Sequence, residues 1–592
     1  MKPFAGFVCG LIAVIGVGAV PPEDLLPAHT LAVATIPDMI RLRAAIAQTP
    51  ASRLWNDEAM RPFTTKFATG FHQHVLDGVQ AGAGAWFREH LDLAQGQMTL
   101  AMIAPAAGLK TPGFLVIVDT GKRADALATK LRLLRETLNL RRSPFKLRTL
   151  RGVEFLELPA PEGMAGSVLL GRSDTLFIAA TREADLDPVL LAQSGGGGKR
   201  LAQVGAFARL RDTQFRDALA LGWLDASAAL ELAVRSFHEF PDGPASERVT
   251  PDRVVGALGF KGLRAVSLSY KRDGGDLLEV RLDVPAQNRR GLFKAFMPES
   301  DDTAPPPFVG TDVLSYLRYR IQGPALWKLL VDTALDIAPQ VDSVIKLGES
   351  AVQARDPKFR FQESFFDTLG SDFIRIQVAP RGKSLGEQIS PPSFFFVESK
   401  KPAATLAAVV TLLGVAGLEP KTHEAEGRRI HSYLLPGRPE AARSSLHFTS
   451  TGSYVVAATD EVLLEGFLRG EAHASRKPLR DLPGLDAAVS RVGGYRTGWL
   501  GISQDRVVAR SLFGFLREHP DALESLPIKN GLKFTRLDPK GEGLPLDWVD
   551  FKLLPAFERV EKYFTHTVYS VGADEAGISL RVLTPAPSAP KE

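Results

Sequence analysis

Apolar and polar residues alternate along the chain in a way that marks most elements before composition is considered. Residues 31–36 (LAVATI) read as a strand, after which Asp38 stands as N-cap of a helix with Met39, Leu42 and Ile46 on one face. Helical spacing continues to about residue 93. Strands are predicted over 97–104 and 114–118, and an amphipathic helix over 123–138. The runs 146–150, 154–158, 168–171 and 176–180 are rich in Val, Phe, Leu and Thr and punctuated by Gly, Pro and Asp, the pattern of an antiparallel meander. Helices return at 184–193 and 204–211. The stretch ALGWLDAS (220–227) fits a strand and a helix start equally. The runs 266–271 and 277–284, joined by Arg272, Asp273, Gly274, Gly275 and Asp276, read as a terminal hairpin. This uneven order predicts an α+β fold with a mainly antiparallel sheet packed with helices, not regular βαβ winding.

The same pattern returns later in the chain. SVLLGRSDTLFIAAT (167–181) is answered by SLHFTSTGSYVVAAT (445–459), and GWLDAS (222–227) by GWLGIS (498–503). Between and around them, 103–105 matches 378–380, 113–119 matches 393–399, and 151–159 matches 427–436, all in the same order. Fainter matches join 30–36 to 313–321 and 278–285 to 578–585. The expectation is two tandem copies of one domain, 25–297 and 308–585, with a Pro-rich linker at 298–307 and a tail at 586–592. Three consecutive prolines in so short a connector predict a stiff link and copies that touch.

One difference between the copies stands out. Residues 402–418 carry no charge, whereas the matching helix of the first copy carries Lys122, Arg123, Asp125, Lys130, Arg132, Arg135 and Glu136. Too short to span a bilayer, the uncharged stretch is expected to be buried against the first copy, with a lipid or partner contact as the alternative.

The chain of 592 residues exceeds what one core organises, and 71 Lys and Arg against 67 Asp and Glu leave a formal charge of +4. The basic residues are interleaved with acidic ones, so nucleic acid is not implied. The densest basic run, Arg141 to Arg148, falls at a helix C-terminus, where cations suit the dipole. Lys2, an apolar run over 4–20 and a small residue at Ala19 predict a signal peptide over 1–19 cleaved after about Ala19, with a retained N-terminal anchor as the alternative. The expected location is the periplasm or cell envelope. Cys9, the one cysteine, lies inside that run, so the exported part would hold no disulfide, cysteine nucleophile or thiolate metal site.

Candidate chemistry is sparse. SGGGGKRLAQV (194–204) resembles a phosphate-wrapping loop, but a Walker loop needs a glycine where Gln193 stands and a hydroxyl where Arg200 stands. The matching polar stretch of the second copy, 469–477, has no glycine run, so the segment reads as an exposed spacer. No G-x-S-x-G elbow or H-E-x-x-H pattern occurs. His72 and His74 would point apart on a helix, and the acidic pairs Glu23–Asp24 and Asp301–Asp302 lie in linker-like sequence. Trp223 and Trp499, each after a glycine, read as equivalent core fillers, with a sugar- or lipid-stacking platform as the alternative. No catalytic, cofactor-binding or metal residue is assigned, no cofactor is expected, and ligand-binding residues stay unassigned.

Residues 23–63, EDLLPAHTLAVATIPDMIRLRAAIAQTPASRLWNDEAMRPF, resemble the opening of an uncharacterised family of exported bacterial envelope proteins, a domain of unknown function with the pattern LLPxxTLAxxxxPD followed by LWxDxxMxPF. The later segments LFIAATRE, LAQ and FARL of the first copy are similar to that family's body. The resemblance implies export and a shared fold, and no catalytic residue.

These observations point first to a non-catalytic envelope scaffold or binding protein, with an envelope protein or lipid as its partner. The alternatives are a carrier or sensor of a lipid-like apolar ligand, lined by 394–396 and 406–418, and a hydrolase whose site is assembled from loops.

Overall fold

Residues that alternate in the sequence pair antiparallel throughout. The computed structural model describes residues 20–73, 92–105, 111–160, 166–237, 249–380, 385–435, 445–470, 477–520 and 548–587. The expected signal segment 1–19, His74 and the end of the tail lie outside the described residues. The architecture is α+β, and the chain divides into two compact units, residues 1–40 with 90–211, and residues 41–89 with 212–592.

The first unit contains β1 (Thr30–Ile36), β2 (Met98–Ile103), β3 (Gly113–Asp119), β4 (Lys146–Leu150), β5 (Val153–Pro159), β6 (Ser167–Ser173) and β7 (Leu176–Ala180). They pair in the order β1-β2-β3-β7-β6-β5-β4. The predicted meander thus folds back to place its last strand beside β3. Helix Ala124–Leu140 covers the face carrying Leu156 and Leu170, pinned by Arg172 to the Ala124 carbonyl (3.5 Å) and by Arg135 to Glu154 (3.2 Å). Helix Glu183–Gln193 buries Leu186, Val189 and Leu190. Arg182, just before it, binds the buried Asp185 through two nitrogens (2.7 and 2.8 Å) and donates to the Ile103 and Ala104 carbonyls. Gly113 lies under this pair, where a Cβ would come within 1.9 Å of Asp185 Oδ2.

The second unit contains β8 (Ala220–Asp225), β9 (Ala265–Arg272), β10 (Gly275–Asp283), β11 (Val313–Arg320), β12 (Leu369–Val378), β13 (Ser393–Ser399) and β14 (Lys421–Ala425). It continues with β15 (Arg428–Leu434), β16 (Ser445–Thr451), β17 (Tyr454–Ala458), β18 (Trp499–Ser503), β19 (Thr567–Ala573) and β20 (Ile578–Pro585). One set pairs as β11-β12-β13-β17-β16-β15-β14, the same order as in the first unit. Another local feature also occurs in each unit. A bridge joins Pro27 to Arg200, with Leu201 donating to the Leu26 carbonyl (2.9 Å), and another joins Gly310 to Pro478, with Leu479 donating to Val309 (2.7 Å).

The remaining strands run β8-β9-β10-β20-β19-β18 and continue into β11. The predicted hairpin β9–β10 is therefore not an end: β10 pairs with β20 from Gly275–Pro585 to Leu282–Ile578, and Arg581 bonds Glu279 across the seam (3.0 Å). The ambiguous ALGWLDAS holds both predicted states in succession, a strand to Asp225 and then helix Ala226–Phe237, with Asp225 Oδ1 accepting from the Ala228 amide (2.9 Å).

Three expectations are altered. Leu42 is buried, but Ile46 is 45% exposed because helix Met39–Ala47 ends one residue later and the chain turns at Thr49. The uncharged helix Pro402–Val415 is covered by Val352, Phe359, Phe361 and Phe365, all from the second unit, and not by residues of the expected first copy. Its Thr405 hydroxyl lies 2.7 Å from both Thr368 and Ser399. The linker 298–307 also packs down: Thr303 and Ala304 are buried, and their carbonyls accept from Tyr316. Among the described residues, no helix is long and apolar enough to cross a membrane.

Candidate functional site

The cluster best equipped for chemistry lies on β14–β16 and helix Glu461–Leu468. Strand register sets His447 opposite Ser432, and two-residue periodicity brings Ser445 to the same face as His447. His447 is buried, with Nδ1 at 2.7 Å from Ser432 Oγ and Nε2 at 2.8 Å from Ser445 Oγ. Ser432 donates to Glu461 Oε1 (3.0 Å), which leaves its oxygen to accept from His447 Nδ1–H. Nε2 is then the acceptor for the Ser445 hydroxyl. His423 adds ring nitrogens 3.4 Å from Glu461 and 3.2 Å from Glu465.

Burial holds His447 below the ordinary imidazole value, while Glu461 and Asp460 pull the other way. A neutral imidazole accepting a serine proton is the geometry of general-base activation. The corresponding place in the first unit has different chemistry and the same mechanical role. There Arg148 binds Glu157 (2.8 Å), Ser167 also bonds Glu157, and Arg151 binds Asp187 through two nitrogens. In both units these polar side chains join a hairpin to the helix that follows the meander.

A second buried network centres on Asp372, which is 1% exposed. Arg318 grips it with Nε (2.8 Å) and Nη2 (2.7 Å), Arg320 approaches at 3.3 Å, and Tyr454 donates a hydroxyl at 2.9 Å. Burial, and then the Asp372 charge, push the Tyr454 phenol up to about 12. Arg318 also donates to the Ala304 carbonyl (2.8 Å), so this network fastens the linker to the sheet.

Residues singled out in the sequence are dispersed. Trp223 is 3% exposed on β8, whereas Trp499 is half-buried at the first position of β18. Phe394 and Phe396 fill the core with Phe308, Phe467 and Tyr454. His72 is exposed at the end of helix Arg61–Phe71. The glycine-rich loop lines an open cleft of about 550 Å3 with His29, Asp187 and Leu191. Its Arg200 turns inward to the Gly196 and Pro188 carbonyls, and the Lys199 carbonyl accepts from Ala28 (3.1 Å). The loop is thus tied at its end and exposed at Ser194, Gly195, Gly197, Gly198 and Lys199, as read for a spacer.

A larger open groove of about 940 Å3 is lined by Arg253, Lys261, Arg289, Arg290 and Lys294, with Asp332 and Asp336 also in its lining. Among the described residues, no group of His, Cys, Asp or Glu side chains is arranged to hold a metal ion.

The sequence reading missed the Ser432–His447–Ser445 row because its members come from separate strands, though the i, i+2 spacing of Ser445 and His447 on a predicted strand was visible. Comparison with protein-family models, with curated proteins and with solved structures finds no match to this chain.

Proposed function

We propose that this protein is an exported, non-catalytic scaffold or binding protein of the bacterial cell envelope, built from two tandem copies of one α+β module. The observation that carries this reading is the fate of its polar side chains. At matching places in the two halves, different residues tie the hairpin to the helix after the meander: Arg151 and Asp187 in one, and His447, Ser432 and Glu461 in the other. A catalytic site constrains residue identity, whereas a joint between hairpin and helix accepts either set. The shared pairing order and the resemblance of residues 23–63 to exported envelope proteins support duplication and export. Fractionation of cells expressing the full chain, with sequencing of the N-terminus, tests location. A mature start near residue 20 in the periplasmic or envelope fraction supports it, and an intact cytoplasmic protein refutes it.

A hydrolase is the second reading, favoured by the hydrogen bond between Ser445 and neutral His447. A fluorophosphonate probe separates the two. Labelling at Ser445 that disappears in His447→Ala would establish the hydrolase; an unlabelled, folded protein supports the scaffold.

A further inference from the structure

We infer that the end of helix Ala124–Leu140 and the adjoining edge strand β4 form a docking surface for an anionic lipid bilayer. Two kinds of exposed side chain meet there. Leu140 is 85% exposed, Leu133 on the same helical face is 51% exposed, and Leu147 on β4 is 41% exposed. Leu147 pairs with Leu156, whose sheet face the helix covers, so it lies on the helix side of the edge. Between residues 130 and 148 the chain holds seven Lys and Arg and one Glu.

Some of those cations are committed. Arg135 binds Glu154, Arg148 binds Glu157, and Arg132 lies 4.0 Å from Glu136. Lys146 stands across the strand pair from Glu157, whose carboxylate Arg148 already holds. Arg141 and Arg142 are exposed and make no ion pair among the described residues. Arg142 occupies the left-handed position (φ +52°) after the helix, with the Ser143 amide bonded to the Leu138 carbonyl (2.9 Å). Glycine is the unstrained residue there, and Gly417 (φ +79°) holds that place after helix Pro402–Val415.

Exposed leucines beside unspent cations match both layers of an anionic membrane surface: the apolar side chains enter the acyl boundary while the guanidinium groups stay with the phosphates. A purely acidic surface would satisfy the cations and leave three leucines in contact with water. The other helix, Pro402–Val415, has no comparable charge, so the surface belongs to one half of the chain. The inference rests on the proposed envelope location only for where the protein meets such lipid.

The test is co-sedimentation of the full chain with vesicles of phosphatidylcholine alone and of phosphatidylcholine with phosphatidylglycerol. Wild type is expected to bind the phosphatidylglycerol vesicles, more weakly as salt rises. Arg141→Glu/Arg142→Glu is expected to weaken binding at least about tenfold. Leu140→Ser, which leaves every charge in place, is expected to weaken it about threefold. Equal binding to both vesicle types, or binding that none of these substitutions changes, would overturn the inference. That second result is also what insertion of the apolar N-terminal run would produce. Export is read separately from the mature N-terminus, so an exported protein that ignores phosphatidylglycerol defeats this inference alone.

Discussion

Gly501 on β18 lies beneath the phenol ring of its cross-strand partner Tyr569, so close that a Cβ at Gly501 would stand 2.0 Å from Tyr569 Cζ. At the matching position of β8 and β9, Asp225 stands opposite Ala265, so no ring lies over that strand pair there. Gly501→Ala is therefore expected to destabilise the fold by about 1–3 kcal/mol through overpacking. Adding Tyr569→Ala should cost less than the sum of the two single changes, because the clash is gone. Urea unfolding of the single and double variants checks this; strict additivity would refute it.

Asp372 neutralises two guanidinium groups in a buried setting. Asp372→Asn leaves Arg318 and Arg320 beside a neutral amide and is expected to cost about 3–5 kcal/mol, more than most single substitutions. Tyr454→Phe, which removes one donor to the same carboxylate, should cost only about 1 kcal/mol. Denaturant midpoints compare the two, and a milder effect from Asp372→Asn would show that the linker is not held through this network.

Acid stability has an identifiable contributor in Asp57. Tyr563 donates to it at 2.6 Å, the Ala59 amide at 2.8 Å, and Lys562 lies at 3.0 Å. Together, with Tyr563 first, they hold its carboxyl at about 2 against an ordinary 3.8. Because the folded value is depressed, the stabilisation is complete above about pH 4 and disappears as pH falls towards 2. Asp57→Asn should flatten stability against pH in that window and leave the slope near neutrality unchanged. Urea midpoints from pH 7 to 2 show whether it does.

His447 acts in a different window. Its folded value lies below 6.5 because burial penalises the imidazolium, so the unfolded chain takes up a proton first. Stability should decline as pH drops below about 6.5 and level off once pH passes the folded value. His447→Leu, the residue at the matching Leu169, should reduce that decline; His431 and His566, also lowered by burial, would contribute to the remainder. NMR titration of the His447 ring with a midpoint at or above 6.5 would contradict the account.

Local regularities made much of this protein legible in its sequence. Strands β4 and β7 were predicted at their observed limits, and β5, β6, β9 and β10 within a residue or two, because alternation and turn residues act over only a few positions. Strands β11–β17 pair in the same order as β1–β7, an order that the local pattern of neither set specifies. What pairs with β10, what covers the helix at 402–415 and where Ser432 meets His447 depend on contacts between distant parts of the chain. Such contacts are chosen by packing and by the hydrogen-bonding needs of buried polar groups, which periodicity does not encode. Tertiary structure alone therefore decided which cations are spent in the framework and which, like Arg141 and Arg142, remain available at the surface.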